Sequence, residues 1–153
     1  MSSPADKFAT PRIAAGALFV DGDKVLLVRK TYGNRWDIPG GYVDRGESPT
    51  SACEREVREE LGLERTVRQL LVHDWAPNDA EGDKILYVFD CGELGQDERA
   101  IQLDGVEIDQ TAWVPVADLG RYVIPRLERR LANAHHACLS GTILYLEHGE
   151  PRA

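Results

Sequence analysis

Three glutamates, Glu56, Glu59 and Glu60, stand at i, i+3 and i+4 in the stretch Arg55-Glu56-Val57-Arg58-Glu59-Glu60-Leu61. On a helix of about 100° per residue they share one face, while Cys53, Val57 and Leu61 share another that suits a core. Glu54 and Arg58 point elsewhere, to water. Like charges on adjacent turns repel and weaken an isolated helix. A hard divalent ion such as Mg²⁺ resolves that repulsion, because it takes carboxylate, carbonyl, phosphate and water oxygens. A solvated acidic helix face has the same composition. The residues in front favour the cation: Gly40 and Gly41 open a glycine loop directly before the helix. Arg55, four residues before Glu59, is placed to orient its carboxylate.

The helix that carries these groups has clear ends. Ser48 caps its start, Pro49 fits the first position where no N–H is needed, and Gly62 suits the left-handed residue that closes it. The spacing predicts a helix over 49–61.

Gly41, Glu47, Arg55, Glu56, Val57, Glu59, Glu60, Gly62 and Leu63 fill every fixed position of the pattern G-x5-E-x7-R-E-U-x-E-E-x-G-U, with U a bulky aliphatic. In this segment the chain resembles the Nudix hydrolase family. The resemblance implies an α/β fold, an α/β/α sandwich with a mixed β-sheet and the box as loop-helix-loop. It implies hydrolysis of a nucleoside diphosphate linked to another moiety: a nucleoside triphosphate, a damaged nucleotide, ADP-ribose or a nucleotide sugar. Water attacks phosphorus with Mg²⁺ or Mn²⁺ bound. The metal ligands carried over are Glu56, Glu59, Glu60 and the Gly40 carbonyl, with Glu107 as a later acid that binds metal or activates water. Glu59 or Glu60 is the first choice for activating water. Arg55 is expected to hold Glu59, and Glu47 to pin the loop to the helix, while Gly41 and Gly62 are structural. A nucleotide-binding sensor that does not cut is the alternative; such proteins often lose box glutamates, and none is lost here.

The remaining elements must position that segment. Residues 1–11 are polar and expected to fray. Strands are expected over 12–20 and 24–30, joined as a hairpin by the turn Asp21-Gly22-Asp23, with a short strand at Tyr42-Val43. Further strands are expected over 65–75 and 84–91, paired with each other, and over 107–114. A helix is expected over 124–137 with Arg126, Arg129 and Arg130 outward, then a short strand or extended tail in 140–147. Around the loop, Arg29, Lys30 and Arg35 are placed to meet phosphate oxygens. Tyr32 and Trp75 have faces on which a base can stack. Trp36 and Trp113 read as core anchors, and the four histidines as structural or exposed.

At 153 residues the chain reads as one domain, 1–153. The net charge of −8 argues against broad nucleic-acid binding but not against a phosphate substrate met through a metal. No apolar run reaches the roughly 20 residues of a membrane span. Cys53, Cys91 and Cys138 are odd in number and widely spaced, as reduced thiols of a cytoplasmic protein are. The family resemblance also allows a homodimer.

Overall fold

The computed structural model describes residues 4–152. A 3-10 turn at Pro4–Lys7 precedes the first strand; of the segment expected to fray, residues 1–3 lie outside the described residues. The strands are β1 (Arg12–Leu18), β2 (Val20–Asp21), β3 (Lys24–Lys30), β4 (Arg35–Asp37), β5 (Gly40–Tyr42), β6 (Gln69–Trp75), β7 (Lys84–Asp90), β8 (Ile108–Pro115), β9 (Leu144–Glu147) and β10 (Glu150–Pro151). The two α-helices are α1 (Pro49–Leu61) and α2 (Pro125–Ser140). No helix among the described residues is long and apolar enough to cross a membrane.

The strands form a six-stranded sheet in the order β10-β9-β6-β7-β1-β5 and a four-stranded one in which β3 pairs with β2, β4 and β8. The first is mixed. β1 runs parallel to β7 from Arg12↔Lys84 to Leu18↔Asp90, and β9 runs parallel to β6, while the other pairs are antiparallel. The expected hairpin between 12–20 and 24–30 is therefore overturned. Only Phe19 to Asp21 fold back on β3, and β1 leaves for the other sheet, where β7 takes one edge and β5 the other. The antiparallel pairing expected between 65–75 and 84–91 is present as β6 and β7. The short strand expected at Tyr42-Val43 lies at Gly40–Tyr42, and Leu144–Glu147 is a true strand.

Strand alternation sends successive residues to opposite faces. Ala15, Ala17 and Phe19 join Ala52, Cys53, Val57 and Leu61 in one core under α1. Leu18 and Val20 join Leu131, Ala134 and Ala137 in a second under α2. The sheets thus lie between two helices, each held by its apolar face. Trp113 packs on the first core and Trp36 on the second, the latter edge-to-face with Tyr122 at 5.5 Å.

Two side chains expected in water are instead held by the fold, one half-buried and one buried. Glu54 accepts the Val67 N–H at 2.9 Å, fastening the chain after α1. Arg130 is buried, with its Nε on Asp74 Oδ2 at 2.6 Å. Arg126 and Arg129 are not free outward charges either: they bind Pro77 O, His148 and Glu150 and tie α2 to the last hairpin. A buried charge persists only when paired, and Arg130 is paired.

Candidate active site

The helix α1 has the expected ends. Ser48 accepts the Ser51 N–H at 3.2 Å, Pro49 opens the helix, and Gly62 closes it at φ 70° with its N–H on Arg58 O. These caps fix which residues face the glycine loop. Gly40 sits at φ 154°, and a Cβ there would lie 2.4 Å from Ala15 O. A Cβ on Gly41 would lie 2.6 Å from Glu56 Oε1. Only glycines let β5 lie against both β1 and the acidic helix.

Glu60 is 2% exposed. Its Oε1 accepts the Gly40 N–H at 3.3 Å, and its Oε2 lies 3.5 Å from Lys30 Nζ. The same ammonium donates to Gly40 O at 3.2 Å. Burial pushes the Glu60 pKa up to about 8; Lys30 pulls it down and Glu56, hydrogen-bonded to it, pushes it further up. Burial lowers the pKa of Lys30, but Glu60 and Asp37 more than offset that. Two carboxylates and a carbonyl thus crowd one buried spot with a single ammonium between them.

Arg55 organises the approach. Its Nε and Nη2 grip both oxygens of Glu47 at 2.8 and 2.9 Å, and its Nη1 reaches Glu56 at 2.9 Å and Glu59 at 3.3 Å. Nη2 also donates to Tyr42 O. Glu47 in turn accepts the Asp44 N–H. One guanidinium therefore links loop, strand and helix, using a planar fork that lysine lacks.

The donor set suits a hard divalent ion, since Glu56, Glu60 and Gly40 O are all oxygen ligands. The bare Cα of Gly41 leaves the Glu56 carboxylate its place. As they stand, no three carboxylates, imidazoles or thiols among the described residues converge as a metal cluster. Glu56 and Glu60 meet, while Glu59 is drawn toward Arg55 and its side chain stays 53% exposed.

Beside the glycines opens a cavity of about 160 Å³. Its polar lining includes Lys30, Arg35, Asp37, Lys84 and Arg130, with the phenols of Tyr32, Tyr42 and Tyr87. A model of the NUDIX domain matches residues 10–138. The chain belongs to the Nudix family. It is 33% identical over 143 residues to a Mycobacterium tuberculosis protein with the provisional name 8-oxo-dGTP diphosphatase 2, covering 82% of this chain and 96% of that one. An ADP-ribose pyrophosphatase of the same organism is 37% identical over 105 residues, 65% of this chain and 49% of that protein. The crystal structure of a MutT protein from Methanosarcina mazei Go1 superposes with a TM-score of 0.69 at 25% identity, over 88% of this chain and 99% of that one. Such relatives make this chain a Nudix pyrophosphohydrolase.

Gly40 and the Nudix box residues Gly41, Glu47, Arg55, Glu56 and Glu60 come together as described, with Glu59 at their edge. Tyr32 and Arg35 line the cavity, their side chains about 6.0 Å apart as cation and ring. Arg29 does not line it: strand alternation sends it away from Lys30, and it binds Asn34 and Asp109. Trp75 ends β6 among Ile85 and Glu147 and is also outside the lining. Glu107 is exposed just before β8; its backbone binds Asp104 and Thr31, and its carboxylate has no hydrogen bond or ion pair among the described residues. Asp37 and Arg130 were not legible as site residues. Asp37 lies one residue before Ile38-Pro39-Gly40, which was the available signal; Arg130 gave none.

Glu47 offers a pH test of the Arg55 clamp. Its hydrogen bonds from Arg55 and Asp44 hold its pKa at about 2, against an ordinary 4.5. A carboxylate lowered in the folded state stabilises above its unfolded pKa and loses that effect as pH falls through the folded value. The melting-temperature advantage of the native chain over Glu47→Gln is expected at pH 7 and should close between pH 4.5 and 2. A gap that stays constant across that range would remove the clamp.

Proposed function

We propose that this Nudix enzyme hydrolyses the pyrophosphate bond of a nucleoside diphosphate linked to another moiety, using Mg²⁺ or Mn²⁺. The observation that carries this is the meeting of Glu56 and Glu60 beside Gly40 and Gly41, the two glycines that line the cavity. Glu56, Glu60 and the Gly40 carbonyl would hold the metal. When bound, such an ion neutralises phosphate oxygens and lowers the pKa of water. The chain's own residues do the rest. Arg55 keeps Glu56 and Glu59 aimed at the loop. Glu59, the most exposed of the three acids, is free to take a proton from water or to join the ligands. Lys30 and Arg35 offer positive charge to phosphate oxygens at the cavity mouth. Positioning and charge stabilisation of this kind are the main sources of rate in phosphoryl transfer.

The test is product release from a panel of nucleoside triphosphates, oxidised triphosphates, ADP-ribose and nucleotide sugars, with Mg²⁺ or Mn²⁺. Turnover of at least one of these, lost on adding chelator and restored by metal, is expected. Binding without turnover across the panel would replace this proposal with the non-cutting sensor. Turnover that survives chelation would remove the metal.

A further inference from the structure

One ammonium stands between two of the oxygen groups suited to the metal. Lys30 is 9% exposed. Its Nζ donates to Gly40 O at 3.2 Å and to Glu60 Oε2 at 3.5 Å, and its third N–H has no acceptor among the described residues. Charge-assisted bonds of this kind run to about 2.7–2.9 Å when tight, so the grip on both oxygens is loose. The other Glu60 oxygen is held by the Gly40 N–H. Helix α1 and the glycine loop therefore meet partly through an exchangeable cation.

A lysine ammonium and a divalent ion ask for the same partners. Both are compact charges that take oxygen, and the divalent ion gathers about six such atoms where the ammonium uses two here. Two cations at Glu60 Oε2 and Gly40 O would repel each other strongly, so one of them must leave.

The lysine has somewhere to go. In the pairing of β3 with β4, Lys30 stands opposite Arg35 and Val28 opposite Asp37. Opposed residues share a face, and a diagonal neighbour lies about 7–8 Å away, within reach of a long side chain. Asp37 is that neighbour, and both residues line the cavity. Its Oδ1 accepts the Ile38 N–H at 2.7 Å, while its Oδ2 accepts no hydrogen bond among the described residues. Its charge already acts on Lys30, second among the attractions to that of Glu60, although the two form no ion pair.

We propose that Lys30 is a resident cation. Its ammonium holds Glu60 and the Gly40 carbonyl together until a divalent ion takes both oxygens, and it then swings within the cavity to Asp37. This rests on the reading that Glu56, Glu60 and the Gly40 carbonyl hold the metal. Lys30 and Asp37 are positioning residues that set the affinity for metal.

Calorimetric titration of the full chain with Mg²⁺ alone tests this without turnover. Apparent affinity falls with the fraction of protein ready to take the ligand, so an ammonium seated about nine-tenths of the time weakens binding about tenfold. Lys30→Met keeps an unbranched side chain without the charge and should bind Mg²⁺ about tenfold more tightly. Arg35 is an exposed cation opposite Lys30 that touches neither oxygen. Arg35→Met should shift the affinity less than about threefold, because solvent screens it. Asp37→Asn keeps the Ile38 contact through Oδ1 and removes the charge that receives the ammonium. It should weaken Mg²⁺ binding to the native chain, and at least about threefold less in the Lys30→Met background, as members of one network do.

Unchanged or weaker binding by Lys30→Met overturns the proposal. So does an equal gain from Arg35→Met, or additive effects of Lys30→Met and Asp37→Asn in proteins with native circular dichroism. Glu56→Gln separates the lysine from the site. Mg²⁺ binding unaltered by Glu56→Gln overturns the metal site and the part of Lys30 together. Binding that depends on Glu56, with additive effects at 30 and 37, overturns the part of Lys30 alone.

Discussion

Glu59→Gln is expected to lower kcat by about 10²- to 10⁴-fold, the contribution of a positioned acid–base group, with little change in melting temperature. Stability should hold because Glu59 has no buried partner. Its side chain is half in water, and its one contact is Arg55 Nη1 at 3.3 Å. Exposed substitutions of that kind usually fall within about 0.5 kcal/mol. Activity should not hold, because the amide keeps the shape but neither takes a proton nor offers a charged ligand. Glu60→Gln would make a poorer test. Glu60 is buried against Lys30 and the Gly40 N–H, so lost rate there would mix chemistry with repacking. Steady-state kinetics with Mg²⁺, alongside thermal melting, decides the matter. Wild-type turnover by Glu59→Gln would take this carboxylate out of the reaction.

Asp74→Ala is expected to cost about 3–5 kcal/mol of stability, because removing one partner leaves the other charge buried and unpaired. Asp74 has no exposed surface. It binds Arg130 Nε at 2.6 Å with one oxygen and the Gly149 N–H at 3.0 Å with the other. Alanine would orphan both. Replacing both members with apolar residues, as Asp74→Leu with Arg130→Met, should recover much of the loss, since a buried pair is often no more stabilising than well-packed hydrophobic residues. Urea titration gives the comparison, with an unchanged slope showing that the same surface unfolds. A single variant as stable as the native chain would mean that the pair is not a strut.

The two predictions separate what local sequence encodes from what it does not. Ser48, Pro49 and Gly62 act within a few residues of themselves, so the bounds of α1 could be read directly, and with them the grouping of Glu56 and Glu60. Arg130 could not be read. It sits beside Leu131 in a stretch rich in arginine, and its burial depends on Asp74 in a distant strand. The hairpin drawn between 12–20 and 24–30 failed for a related reason. The Asp21-Gly22-Asp23 turn is real, but it joins only a two-residue strand to β3, and nothing near it signals that β1 will pair with β7. Arg29 and Lys30 were weighed alike, although strand alternation puts only one of them in the cavity.

That parallel seam between β1 and β7 has a cost in time. Arg12 pairs with Lys84, so β1 leaves the ribosome long before its central partner exists. At about 5–20 residues per second, the roughly 70 intervening residues take on the order of 4–14 s to make. Throughout that interval an apolar strand, Ile13 to Leu18, has one unpaired edge, and the acidic helix has only β1 and β5 to rest on. The nascent chain therefore carries its catalytic segment complete in sequence but unassembled, and the enzyme becomes one only after the second half of the protein has been translated.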